Sequence, residues 1–355
     1  MQIFYYLPFV DGCSLFRDWH ELIIGNSCLL SPEKKLFYRF LKIYVRLLLP
    51  IFCRKVTINK PDCLNIQGPL LLACNHPNSF LDSIIINALF EQPVWSLARG
   101  DAFRKSFYGR LLTKLKILPV YRTSEGVENL GENYKTFDAC IDIFRKNGIV
   151  LIYSEGKCIN EWHLRPLKKG TARLANKAWE ESIPLRVLPV GINYSSFRRF
   201  GKNMFINFGE IITREGINMK DADGHRHQSF NSRLQQQLEQ LVFEIPKKNK
   251  QLQEERLSVK PGAIKKILLA IPAMIGWLFH IPLFLPIKNF TIKRTSHNDH
   301  YDSVMIGILI LTYPVYLVLT ISILWIITKS WFVFLLILLL PFTAWSFVQL
   351  KPQLD

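Results

Sequence analysis

The stretch Cys74-Asn75-His76-Pro77-Asn78-Ser79-Phe80-Leu81-Asp82 sets an imidazole and a carboxylate six positions apart, where an apolar run gives way to a helix-like one. Six residues advance a helix by about 600°, or about 240° net, so the two side chains cannot share one helical face. His76 therefore falls in a turn, with Pro77 excluding a continuous helix before it, while Asp82 rides the helix that starts after. A carboxylate so placed folds back on the imidazole, fixes its tautomer and stabilises its positive charge once it takes a proton. No Ser or Cys stands beside the pair at the spacing of a nucleophile. The chemistry that fits is direct attack by a substrate hydroxyl, with His76 as general base and Asp82 orienting it.

A histidine in a turn is more often structural than catalytic, so its companions decide. Arg122 closes the apolar run 117–121 and offers a planar fork that binds phosphate in bidentate fashion. Glu155 and Gly156 follow the apolar run 148–153, at the strand end where open α/β sheets keep their sites. Lys157, Arg165, Lys168 and Lys169 then precede Gly170-Thr171, where a helix can start and its free N–H groups can hold an anion. A surface salt bridge for Arg122, a capping carboxylate for Glu155 and a solvated basic loop are the bland readings of the same residues. Cys158 has no histidine at a diagnostic spacing and is not read as a nucleophile, and His225-Arg226-His227 reads as a polar loop beside Asp221 and Asp223 rather than a metal site.

Four blocks in order resemble the phospholipid and glycerol-phosphate acyltransferase family: the His76 to Asp82 block, Leu118-Pro119-Val120-Tyr121-Arg122, Leu151-Ile152-Tyr153-Ser154-Glu155-Gly156-Lys157, and Leu188-Pro189-Val190-Gly191-Ile192-Asn193-Tyr194. The resemblance covers roughly residues 35–245. It implies His76 and Asp82 as catalytic residues and Arg122, Glu155, Gly156, Lys157 and Arg165 as substrate-binding residues. An acyl-CoA or acyl carrier protein thioester is implied as co-substrate, with no metal or other cofactor, and a phosphorylated glycerol as acceptor. Two departures stand out. Five residues rather than four separate His76 from Asp82, a spacing similar to the branch that acylates glycerol 3-phosphate and dihydroxyacetone phosphate. The family's Thr-Arg after Glu-Gly is Lys157-Cys158 here, which leaves Lys157 or Arg165 to stand in for the missing Arg. Transfer to 1-acyl-glycerol 3-phosphate is the rival within the class; an inert lipid-binding scaffold is the rival outside it.

The elements that must position these residues alternate. Apolar runs at 68–74, 94–98, 117–121, 148–153 and 186–193 are separated by helix-like segments at 79–90, 103–115, 129–146 and 170–181. Strands separated by helix-length segments build βαβ units and a mainly parallel sheet flanked by helices, an α/β fold. A further strand at 204–212 and an amphipathic helix at 229–243 complete an acyltransferase domain at 57–245. Ahead of it lie an unassigned segment, 1–32, and an amphipathic, basic helix, 33–56, of a kind that lies in a membrane interface.

A formal net charge of +17 favours anionic partners. The scatter of basic residues among apolar ones, with no zinc-ligand pattern, points to membrane lipids and away from nucleic acid. Seven irregularly spaced cysteines without a C-x-x-C pair suit a reduced, cytosol-facing protein, and the uncharged apolar start makes a poor signal peptide. After a polar linker at 246–262, the apolar stretch 263–287 is broken by Pro272, Pro282 and Pro286 and flanked on both sides by Lys and Arg, so it reads as re-entrant or interfacial. Residues 303–350 hold two uncharged runs parted by Lys329, each longer than the ~20 residues a bilayer crossing needs, and are expected to form a transmembrane hairpin. The expected location is integral to a membrane, with the catalytic domain toward the cytoplasm.

Overall fold

In a parallel strand buried on both faces, successive side chains enter opposite layers, and the central strands here do so residue by residue. The computed structural model describes residues 32–103, 106–121, 130–219 and 221–354. Among these the strands are β1 (Cys53–Ile58), β2 (Leu70–Cys74), β3 (Val94–Arg99), β4 (Ile117–Val120), β5 (Ile149–Tyr153), β6 (Arg186–Tyr194) and β7 (Lys202–Phe208), in the order β1-β7-β6-β2-β5-β3-β4. Neighbours run parallel except β6 with β7.

Leu70, Leu72 and Cys74 of β2, with Ile149 and Leu151 of β5, enter a layer built from α1 (Pro32–Phe52) and α2 (Phe80–Leu89). Leu71 and Ala73, with Val150 and Ile152, enter the opposite layer. There they meet α4 (Leu130–Arg145), α5 (Lys169–Glu180) and α6 (Asp223–Leu241); the short α3 (Ser106–Lys114) links β3 to β4. Leu70, Leu71 and Leu72 are wholly buried, so truncating any of them to Ala costs about 2–5 kcal/mol. The sheet is thus mixed but mostly parallel and covered on both faces, as the alternation predicts.

Some local readings shift. The basic helix ends at Phe52 and its last predicted residues belong to β1, an edge strand held by β7. Two of its cations do not face outward: Lys42 and Arg46 donate to the carbonyls that end α2, among them Phe90 and Ala88, where the helix dipole favours positive charge. Its apolar residues Leu36, Phe37, Phe40, Ile43 and Leu47 are exposed. His225, Arg226 and His227 lie in the first turns of α6 rather than in a loop, with Arg226 paired to Glu180 at 2.7 Å. Within the polar linker stands a short helix, α7 (Lys250–Leu257), capped by Asn249.

Three helices long and apolar enough to cross a membrane follow. They are α8 (Ala263–Thr295), α9 (Tyr301–Thr328), and a 3₁₀ turn (Trp331–Leu335) leading into α10 (Leu336–Leu350). Pro272, Pro282 and Pro286 leave α8 one helical segment. Contact between α8 and α10 depends on Gly276, where a Cβ would stand 2.1 Å from the carbonyl oxygen of Thr343, a close approach of the small-residue kind. Tyr313 and Ile306 of α9 join the core layer of α1 and α2.

Candidate active site

Residues at the ends of adjacent parallel strands share a level. Cys74 at the end of β2 pairs with Tyr153 at the end of β5 and with Val190 of β6, so the turn holding His76 emerges beside the segment holding Glu155. Beyond the ladder, the side chain of Asn75 continues it: Asn75 donates to the Ile192 carbonyl at 3.0 Å and accepts from the Ile192 N–H at 2.7 Å. Asn160 donates to the Pro77 carbonyl at 2.7 Å, and the Ser79 N–H donates to Cys158 Sγ at 2.9 Å. Ser79 adopts φ 52° and ψ −142°, a region only glycine visits freely, so the turn is held in a strained form by what surrounds it.

His76 Nδ1 lies 2.9 Å from Asp82 Oδ2. Asp82 is wholly buried, and a buried carboxylate needs its acceptor positions filled. The N–H of Asn78 donates to Oδ2 at 2.9 Å and the phenol of Tyr194 donates to Oδ1 at 2.7 Å. Burial and the neighbouring Asp82 push the Tyr194 hydroxyl well above its ordinary range, so it stays a donor. Nδ1–H thereby serves Asp82 and leaves Nε2 as the nitrogen able to take a proton. The His76 side chain keeps 16% of its surface exposed, enough for a substrate oxygen to reach it.

Glu155 is buried and accepts two backbone N–H groups, from His76 at 2.8 Å and from Arg165 at 2.9 Å. Burial pushes its carboxyl above the ordinary value, against the pull of those two N–H groups. Glu155 thus ties the basic segment to the histidine turn. Arg165 itself is half-buried and paired with Glu161 at 3.0 Å, whereas Gly156, with φ 67°, and Lys157 are exposed beside the site. Arg122 lies outside the described residues. Burial and Asp82 together push the Cys158 thiol far above its ordinary range, which removes it as a nucleophile at neutral pH.

Sequence reasoning gave no role to Tyr194, Tyr153, Asn75 or Asn78. Each stands within a quoted block or at its edge, and the available signal was the polar residue type at the end of an otherwise apolar strand.

Residues 55–193 match the Acyltransferase family, the span that contains this dyad, the first three blocks and all of the fourth except Tyr194. Over that span the chain is similar to the acyltransferase family. Among solved structures it is similar to the 1-acyl-sn-glycerophosphate (LPA) acyltransferase, PlsC, from Thermotoga maritima, at 13% identity, over 63% of this chain and 88% of that one, with a TM-score of 0.43. No curated protein matched the chain.

Proposed function

We propose that the protein moves a fatty acyl group from an acyl-CoA or acyl carrier protein thioester to a hydroxyl of glycerol 3-phosphate. The observation that carries this reading is the His76–Asp82 pair, held at 2.9 Å on a buried, fully partnered carboxylate within the span similar to the acyltransferase family. His76 Nε2 takes the proton of the acceptor hydroxyl as its oxygen bonds to the thioester carbonyl carbon. The tetrahedral intermediate collapses with cleavage of the C–S bond, and the proton on His76 passes to the departing sulfur. Asp82 stabilises the imidazolium throughout. Arg122, Lys157 and Arg165 supply cations for the acceptor phosphate, and Glu155 and Gly156 position the segment that carries two of them. The five-residue interval between His76 and Asp82 favours glycerol 3-phosphate over 1-acyl-glycerol 3-phosphate, by its likeness to that branch. Purified protein assayed with both acceptors and both thioesters tests this. Turnover with glycerol 3-phosphate is expected; turnover with 1-acyl-glycerol 3-phosphate alone reassigns the acceptor, and none with either reopens the scaffold reading.

The protein acts at a membrane surface with its catalytic domain on the cytoplasmic side. Supporting this are the exposed apolar residues of α1 and the contacts at both ends of α8. Before α8, the Val259 N–H bonds Gln353 at 3.2 Å, and Gln349, bonded to Lys265 at 2.6 Å, reaches the Arg54 carbonyl at 3.3 Å. After α8, the chain meets the histidine turn again at Ser303, whose Oγ is 3.1 Å from the Leu81 N–H. A segment that starts and ends against the same domain fits a helix lying along the interface, leaving α9 and α10 as the spanning hairpin. Its basic flanks then share the cytoplasmic side. Impermeant thiol labelling of Ser296→Cys and Lys329→Cys in sealed vesicles should mark opposite faces; labelling from one face only would overturn the hairpin.

A further inference from the structure

The first turn of any helix leaves N–H groups that need partners. In α2, the helix that carries Asp82, Ser79 occupies the N-cap position and forms no side-chain cap. The partner comes from 222 residues away: Ser303 Oγ accepts from the Leu81 N–H at 3.1 Å and donates to the Asn78 carbonyl at 3.0 Å. Beside it, Asp302 accepts from the Asn78 amide at 2.8 Å and pairs with Lys202 through the same oxygen. Asn78, Ser303 and Lys202 have no exposed surface, and Asp302 has 3%. Asn78 is the residue whose backbone N–H reaches Asp82 Oδ2, the oxygen facing His76.

Two buried charges cost several kcal/mol each to desolvate, and a well-packed apolar pair would serve stability as well or better. A stabilising role alone therefore does not account for Lys202 and Asp302. Both lie outside the family-matched span of 55–193, as does Ser303.

We infer that the start of α9 is a positioning element of the reaction: Asp302, neutralised by Lys202, and Ser303 hold Asn78 and the first turn of α2 so that Asp82 keeps His76 aimed. The inference rests on the acyl-transfer reading. It makes the lipid-facing hairpin a part of the active-site support, with the catalytic turn set only when α9 is docked.

The test uses the full chain in detergent, comparing wild type with Ser303→Ala, Ser303→Thr and the apolar double variant Lys202→Met with Asp302→Leu, with His76→Ala alongside. Displacing a catalytic group by a fraction of an ångström to 1 Å costs roughly 10- to 100-fold in rate. Ser303→Ala and the double variant should each lower kcat by about tenfold or more with KM for both substrates within about twofold, and Ser303→Thr should restore kcat to within about threefold. The double variant also leaves the buried Asn78 amide without its acceptor, which lowers its melting temperature, so kcat is compared well below the melting temperature of every variant. Wild-type kcat in both Ser303→Ala and the double variant overturns the inference, as does a loss that follows thermal stability and is not rescued by Ser303→Thr. If His76→Ala keeps full turnover, the general-base reading fails instead; if it is inactive while the others match wild type, only this inference fails.

Discussion

The imidazole of His76 lies flat on the phenol ring of Tyr153, with centroids 3.7 Å apart and planes 12° from parallel. The stack fixes the ring about the axis that the Asp82 bond leaves free, so Nε2 points in one direction. Tyr153 is anchored in turn by its hydroxyl, 2.7 Å from Ser83 Oγ on α2. Tyr153→Phe keeps the stack and should retain kcat within about threefold, whereas Tyr153→Leu should lose about tenfold at nearly unchanged KM. Steady-state kinetics of the two variants decide whether the ring face or the hydroxyl matters.

Glu155 offers a pH signature. Its folded-state value lies above the ordinary 4.5 because of burial, so the folded chain binds that proton more tightly than the unfolded one. The stability this confers is fully present below the unfolded value and is lost as pH rises through the folded one. In Glu155→Gln, an amide NH₂ faces one of the two backbone N–H groups, leaving it unsatisfied at a cost of about 1–3 kcal/mol. The melting-temperature advantage of wild type over this variant should therefore shrink as pH is raised from about 4.5 toward neutrality. A growing advantage would contradict the assignment.

How much of this was legible beforehand varies with the range of the contact. Strands such as β2 and β5 are short, wholly apolar and bounded by turn residues, and the helix between Ser79 and Phe90 announces itself by composition. The strand β1 was hidden because Arg54 and Lys55 continue the basic-apolar spacing of α1, and only pairing with β7, some 150 residues later, draws that segment into the sheet. The His76–Asp82 pair could be read from a six-residue interval. The supports of Asp82 could not: Tyr194 is 112 residues away, and Asp302 meets Asn78 across 224. The sequence shows a polar residue at the end of β6 but not which residue it meets.

Close packing of α8 on α10 gives a third expectation. Gly276→Ala would place a methyl group against the Thr343 carbonyl, so the helices must separate, and destabilisation of about 1–3 kcal/mol is expected. Gly262→Ala, where a Cβ meets open space, serves as the control. Thermal melts in one detergent should shift for the first and not for the second.

Cys158 holds the strained turn through the Ser79 N–H and not through nucleophilic chemistry. Cys158→Ser, which retains an acceptor, should keep kcat within about threefold, and iodoacetamide at pH 7.5 should inactivate the wild type only slowly. Rapid inactivation with protection by the thioester substrate would place the thiol in the reaction after all.

The most direct measurement is acyl transfer from labelled thioester to glycerol 3-phosphate by full-length wild type and by His76→Ala of equal thermal stability. Removing the general base should lower kcat by about 10²- to 10⁴-fold while the KM for glycerol 3-phosphate stays within about threefold. Equal turnover in the two proteins would contradict the assignment of His76 and, with it, the mechanism.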